Sequence, residues 1–231
     1  LFVLFLFRTL RYNSHRNKFT GKDRPHMPVI YYAYYSPVSE RISDISTQEH
    51  LLGRRLLSQG LRELYHISVS ASQVDAMLRT EENGKPCLSD HPDIFFNITH
   101  CRGLAACAFG RSPLGIDAEL PGYFPEILVA RALSETEKSF LQEAGSTMAL
   151  RQEWFYRLWT LKEAYVKKSG CGVDTDLTEF SFFFDRSSMP LRITCTDPHV
   201  SCFQEKLSGG QILSLCSLNT EKEVTLVDRS S

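Results

Sequence analysis

The amino-acid sequence predicts an α+β fold on three observations. Strand-like and helix-like patterns are both present, the first half reads as helices against a sheet, and the second half repeats that theme. No residue-level repeat links the halves, so any duplication is one of structure. Val29 to Tyr35, β-branched and aromatic, is the first strand and stops at Ser36-Pro37. Ser46-x-x-Glu49 has the spacing of a capping box, and Leu52, Leu56, Leu57, Leu61 and Leu64 follow at helical intervals with Arg54 and Arg55 on the flank. A short helix near Ser72 to Arg79 leads to the Asn83-Gly84 turn, which places Lys85 and Pro86 in a loop. Three short strands follow, Ile94 to Ile98, Leu104 to Phe109 and Leu114 to Glu119.

In the second half, Ser134-x-x-Glu137 is another capping box, and a long helix runs from about Leu150 to Ser169, closed by Gly170. The alternation of Phe180, Phe182 and Phe184, then Gln211 to Leu218 and Glu223 to Val227, supply further strands.

Composition narrows the function. The 231 residues are 42% hydrophobic and 23% charged, an ordinary globular mix in which one large domain or two small ones fit. A net charge of -1 argues against a global footprint for nucleic acid, so any anion site is local. Seven cysteines (87, 101, 107, 171, 195, 202 and 216) form an odd set without CxxC or zinc-like spacing, which fits reduced thiols in a cytoplasm. The apolar run Leu1 to Phe7 is too short to span a bilayer. The globular pattern starts at Met27, and residues 1–26 are read as an upstream or non-native extension.

Chemistry concentrates in two places. On the long helix, Trp154, Leu158, Leu161 and Tyr165 form one stripe toward the core, while Trp159, Glu163 and Lys167 stack at i, i+4 and i+8 on the other side. A solvated face would make Glu163 and Lys167 a plain helix ion pair. Trp159 on that face instead calls for another domain or a ligand against it. Asp117 and Glu119, two apart on a strand, point the same way, and like charges so placed ask for a cation between them. Mg²⁺, held by a few carboxylates and substrate phosphates, suits them; a solvent-facing strand edge is the alternative. His100 at a strand end and Lys85 in its loop are each open to a structural or surface role. Together, carboxylates for a hard cation with Lys and His for phosphate oxygens compose a pyrophosphate site.

Four ordered stretches, Gly84-Lys85-Pro86, Phe96-Asn97-Ile98-Thr99-His100, Gly115-Ile116-Asp117-Ala118-Glu119 and Trp159-Thr160-Leu161-Lys162-Glu163-Ala164-Tyr165-Val166-Lys167, resemble the 4′-phosphopantetheinyl transferase superfamily of the longer, two-lobed type. They span residues 84–167, and the flanks match only in length and general pattern. The resemblance implies two similar α+β lobes, 27–112 and 113–231, with the active site in the cleft between them. It implies transfer of the phosphopantetheine arm of coenzyme A to a serine of an apo acyl or peptidyl carrier protein, with Mg²⁺ and release of 3′,5′-ADP. Asp117, Glu119 and Glu163 would ligate the metal, and Lys162 and Lys167 would neutralise phosphate charge. His100 and Lys85, with the backbone around Thr99, would contact the 3′-phosphate and adenosine end. Glu163 is the candidate base, with a carrier Asp or a metal-bound hydroxide as the alternatives, and Lys167 and His100 complete the catalytic set.

Two departures stand out: Thr99 occupies a position where Ser is common, and the basic stretch many longer members place before the first helix is missing, leaving Arg41, Arg54 or Arg55 to substitute. The resemblance implies a cytoplasmic monomer acting on neither nucleic acid nor membrane. A catalytically silent binder of coenzyme A or carrier protein, and a metal-dependent phosphoesterase, are the competing functions.

Overall fold

A computed structural model describes residues 27–172, 175–221 and 223–230. The proposed extension, residues 1–26 with its apolar run, lies outside the described residues. The first strand, β1 (Val29–Tyr34), is followed by helix α1 (Ile42–Tyr65), then a 3₁₀ turn, the short strands β2 (Leu78–Thr80) and β3 (Pro86–Leu88), and β4 (Phe95–Cys101), β5 (Leu104–Gly110) and β6 (Gly115–Glu119). The second half carries α2 (Glu126–Ala132), α3 (Glu135–Ala144), α4 (Met148–Ser169), β7 (Phe182–Asp185), β8 (Arg192–Cys195), β9 (Val200–Lys206), β10 (Ile212–Leu218) and β11 (Thr225–Asp228). The fold is α+β.

Two sheets matter for the site. One has the order β11-β1-β5-β4 and the other β6-β10-β9. Period-2 alternation gives each strand two apolar faces. Val29, Tyr31, Ala33, Ala105 and Cys107 face Leu56, Leu57, Leu61 and Leu64 of α1. Ile30, Tyr32, Ala106 and Ala108 share a second apolar layer with Ile116, Ala118, Leu213 and Leu215 of the other sheet. α4 covers the far face of that sheet, where Thr160 and Ser214 hydroxyls meet at 2.7 Å. The layers therefore run helix, sheet, sheet, helix, and each fully buried leucine contributes about 1.5 to 3 kcal/mol.

The long helices are set by their ends. Gly170, at φ 68°, ends α4 with its N–H on Val166 O, and Thr147 caps the start through Leu150 N. Lys167 and Lys168 in the last turn complement the helix dipole. Ser134 and Glu137 form the expected box on α3, with both bonds present.

Several expectations change. α1 starts a turn before Ser46: its N-cap is Arg41, and Ser39 Oγ accepts from Arg41 N while donating to Asp44. Glu49 consequently lies inside the helix, buried, with no capping role. Residues 72–79 do not form an α-helix; a turn of 3₁₀ helix at Val74–Met77 runs directly into β2. Gly84 makes the β2–β3 hairpin turn at φ 85°, so Pro86 opens a strand. β9 and α2 carry no strong periodic signal and were not anticipated. The division at 112/113 is crossed by β11, which pairs in parallel with β1, Val29 opposite Thr225.

Candidate active site

β6 is an edge strand of its sheet, and its free edge is held by β4: Asn97 Oδ1 accepts from Ile116 N at 2.9 Å. Its alternation sends Ile116 and Ala118 into the inter-sheet layer and turns Gly115, Asp117 and Glu119 toward α4. Gly115 lets strand and helix nearly touch. A Cβ there would lie 2.1 Å from Ala164 O and 2.3 Å from Lys168 N, both backbone atoms.

This contact brings Lys167 onto Asp117, Nζ to Oδ1 at 2.6 Å, while Thr99 Oγ1 donates to the same oxygen at 3.2 Å. Asp117 Oδ2 is buried with no hydrogen-bond partner, an open acceptor in a dry place. Burial raises the Asp117 pKa, against the pull of Lys167. Glu119 is pushed up to about 7, first by burial and then by the charge of Asp117, with Glu163 and Glu49 adding to it. Glu163 is raised by burial and by Asp117. The three carboxylates therefore share one electrostatic neighbourhood, with Lys167 as their local counter-charge.

Among the described residues, no three His, Cys, Asp or Glu side chains form a group able to hold a metal as it stands. The donor set nonetheless fits a hard divalent cation in kind. It is all oxygen, it includes the orphaned Asp117 Oδ2, and its carboxyl pKa values are raised first by burial and, for Glu119, then by the charge of its acidic neighbours.

Trp159, Glu163 and Lys167 line a pocket of about 500 Å³ together with Lys85, Asn97 and Leu177. Trp159 stacks on Phe155 at 6.1 Å, so the helix face that carries it is packed at one end and open to a ligand at the other.

The lysines divide unexpectedly. Lys162 is fully buried: its Nζ donates to Leu177 O at 2.6 Å and to Phe180 O, and pairs with Glu137 at 2.7 Å. Three acceptors use its three N–H bonds, so the phosphate role expected for it is corrected. Lys85 Nζ donates to Leu114 O at 2.9 Å and Lys167 O at 2.8 Å, bracing the start of β6 against the last turn of α4, and burial lowers its pKa. His100 stands half-exposed near the other end of β4, its Nδ1 3.0 Å from Glu49 Oε2. Lys85 shares its pocket with Asn97, three residues before His100 on β4, and His100 is not on the wall of that pocket.

Glu49 is the residue that sequence reasoning missed. It accepts from Tyr35 OH, pairs with His100 and raises Glu119. Its signal was present: a carboxylate seven and eight residues before Leu56 and Leu57, in phase with the apolar stripe of α1. The arginines offered for the missing basic stretch are engaged elsewhere or stand at a helix end. Arg54 pairs with Asp75 at 2.5 Å, Arg55 donates to Arg229 O, and Arg41 is the N-cap of α1.

All seven cysteines are free, and no helix among the described residues is long and apolar enough to cross a membrane. A family model described as the 4′-phosphopantetheinyl transferase superfamily matches residues 113–216, from just before β6 into β10. The chain is 30% identical over 181 residues to the 4′-phosphopantetheinyl transferase Sfp of Bacillus subtilis, covering 77% of this chain and 78% of that one. It is also 30% identical over 168 residues to the 4′-phosphopantetheinyl transferase gsp of Aneurinibacillus migulanus, covering 71% and 68%. Likeness at that level runs along most of both proteins and includes the strand and helix that meet at Gly115, and the chain belongs to the 4′-phosphopantetheinyl transferase superfamily.

Proposed function

We propose that this chain moves the phosphopantetheine arm of coenzyme A onto a serine of an apo acyl or peptidyl carrier protein, in a Mg²⁺-dependent reaction, as a cytoplasmic monomer. Two similar lobes would flank the site, one led by α1 and its sheet and the other by α4 and its sheet. The observation that carries this is the buried, unbonded Asp117 Oδ2 beside the Lys167 ammonium, within the electrostatic reach of Glu119 and Glu163.

Asp117, Glu119 and Glu163 would hold the ion, which supplies positive charge for the pyrophosphate oxygens. The chain's own residues do the rest. Lys167, steered by Asp117, offers its remaining N–H bonds to a phosphate oxygen as negative charge develops. Glu163, its pKa raised by burial and by the charge of Asp117, is the residue assigned to take the serine proton. The serine oxygen bonds to the β-phosphorus, the bond to the bridging oxygen breaks, and 3′,5′-ADP leaves with that electron pair. His100, with the Thr99 backbone, faces the 3′-phosphate and adenosine end, while Lys85 braces the pocket wall.

The direct test is to incubate the protein with apo carrier protein, coenzyme A and Mg²⁺ and follow the carrier by mass spectrometry. Gain of the phosphopantetheine mass is the expected result; an unmodified carrier of every type tried overturns the proposal.

The titration of Glu119 gives a second test. Its folded pKa of about 7 lies above the unfolded 4.5, so between those values the folded chain binds more protons than the unfolded one. The metal-free protein is therefore expected to lose stability as pH rises from about 4.5 to about 7. Calorimetric melting in EDTA should show the decline, and Glu119→Gln should reduce it, with the raised Asp117 and Glu163 supplying what remains. Added Mg²⁺ should raise Tm more at pH 7 than at pH 5, because the ion requires the deprotonated carboxylates. An equal rise at both values would remove Glu119 from the metal set.

A further inference from the structure

Lys162 precedes the proposed base on α4 but is turned away from it into the interior. Its side chain is 0% exposed and that of Glu137 1%. The ammonium ties α4 to two other segments: α3 through Glu137, and the connection after α4 through Leu177 O and Phe180 O. It also stands 4.5 Å from the centre of the Phe180 ring, whose other neighbour, Tyr165, stacks at 4.2 Å. Glu137 is equally committed. Its Oε1 accepts from Phe182 N at 2.8 Å, and its Oε2 accepts from Ser134 N at 2.9 Å as well as from Lys162.

The consequence reaches the pocket through Leu177, which lies on its wall with Trp159, Glu163 and Thr175. Between the end of α4 and β7 the chain makes a short 3₁₀ turn at Leu177–Glu179, and its carbonyls are anchored on Lys162. A buried charge with every N–H bonded fixes direction as well as distance, so it sets where this connection crosses the helix.

We propose that Lys162 and Glu137 work as one positioning pair for phosphopantetheine transfer: they hold the 175–180 wall of the donor pocket and the orientation of α4 at Glu163, and neither meets a phosphate. This rests on the donor site proposed above. It predicts coupling between two residues of which one lies outside the pocket. A phosphate ligand would behave independently of Glu137.

The test is a cycle of Lys162→Met, Glu137→Gln and the double variant. Binding is measured without metal through quenching of tryptophan fluorescence, Trp159 lying in the pocket, with coenzyme A, 3′,5′-ADP and pantetheine as separate probes. Melting and steady-state transfer are measured alongside. Each single variant is expected to weaken coenzyme A binding and lower kcat/KM by about tenfold or more. The loss should extend to pantetheine, which carries no phosphate, because a displaced wall affects the whole donor.

The double variant is expected to be no worse than the weaker single variant and to recover part of the lost Tm, since a neutral buried pair replaces a lone charge. That recovery keeps the cycle readable where a single variant folds poorly. Loss confined to Lys162→Met and to the phosphate-bearing probes, with Glu137→Gln silent, overturns the inference, as does simple addition of the two losses. Wild-type protein that neither binds coenzyme A nor transfers its arm in the presence of Mg²⁺ overturns the proposed function and this inference together. Binding by the wild type with an additive cycle overturns this inference alone.

Discussion

Asp117→Ala should lower phosphopantetheine transfer by at least about a thousandfold while leaving the protein folded. Several kcal/mol of charge stabilisation pass through a catalytic metal site, and each 1.36 kcal/mol is about a factor of ten in rate. The substitution removes the orphaned oxygen and the group that steers Lys167. Stability should hardly fall. Asp117 is itself held at a cost, with burial raising its pKa, and Lys167, about a third exposed, rehydrates once its partner is gone. Initial rates by mass spectrometry and thermal melts by circular dichroism check both halves. Asp117→Asn keeps the shape and should be nearly as inactive, which separates charge from packing. A normal rate in either variant would remove the metal role.

The second large effect belongs to a residue without a side chain. Gly115→Ala would drive a methyl group into Ala164 O and Lys168 N, backbone atoms that cannot rotate away, so β6 and α4 must separate. Overpacking of this kind costs about 3 kcal/mol. For a chain of this size that is a fall in Tm of roughly 6 to 12 °C. Separation also draws Asp117 from Lys167 and Glu163, and misplacement by about 1 Å can cost about a hundredfold in rate. Differential scanning calorimetry and the transfer assay should report both losses together. Unchanged Tm and rate would overturn the role of this close approach of β6 and α4.

What the sequence made legible follows from what local pattern encodes. The leucines of α1, the box at Ser134 and Glu137, the closing Gly170 and the strands flanking Asp117 each leave a signal within a few residues, and each element forms nearly where it was expected. The same-face placement of Asp117 and Glu119 is equally local, a matter of strand period. Lys162 was misjudged for a different reason. Its place in the motif says nothing of Glu137, 25 positions earlier, and the fate of a buried charge depends on a partner that only tertiary structure supplies. Glu49 shows the converse error. The Ser46-x-x-Glu49 spacing satisfied a capping rule, but Ser39, Arg41 and Asp44 organise an earlier start, and the carboxylate is left to pair with His100. Lys85 is uninformative in isolation and is given a phosphate contact only by the resemblance, whereas two backbone carbonyls meet its ammonium.

The parallel pairing of β11 with β1 carries a consequence for biosynthesis. Thr225 to Asp228 border the first strand, and Arg229 fastens beyond them through its N–H on Tyr32 O and its guanidinium on Glu63. While a ribosome is still extending the chain, that border is open along a row of unpaired amides and carbonyls, a template for neighbouring nascent chains. Completion of the sheet that holds β1 waits for residues 225–228 to emerge. Splitting the gene between residues 112 and 113 would yield an amino-terminal fragment that is sticky rather than self-sufficient, however neatly the motifs divide there.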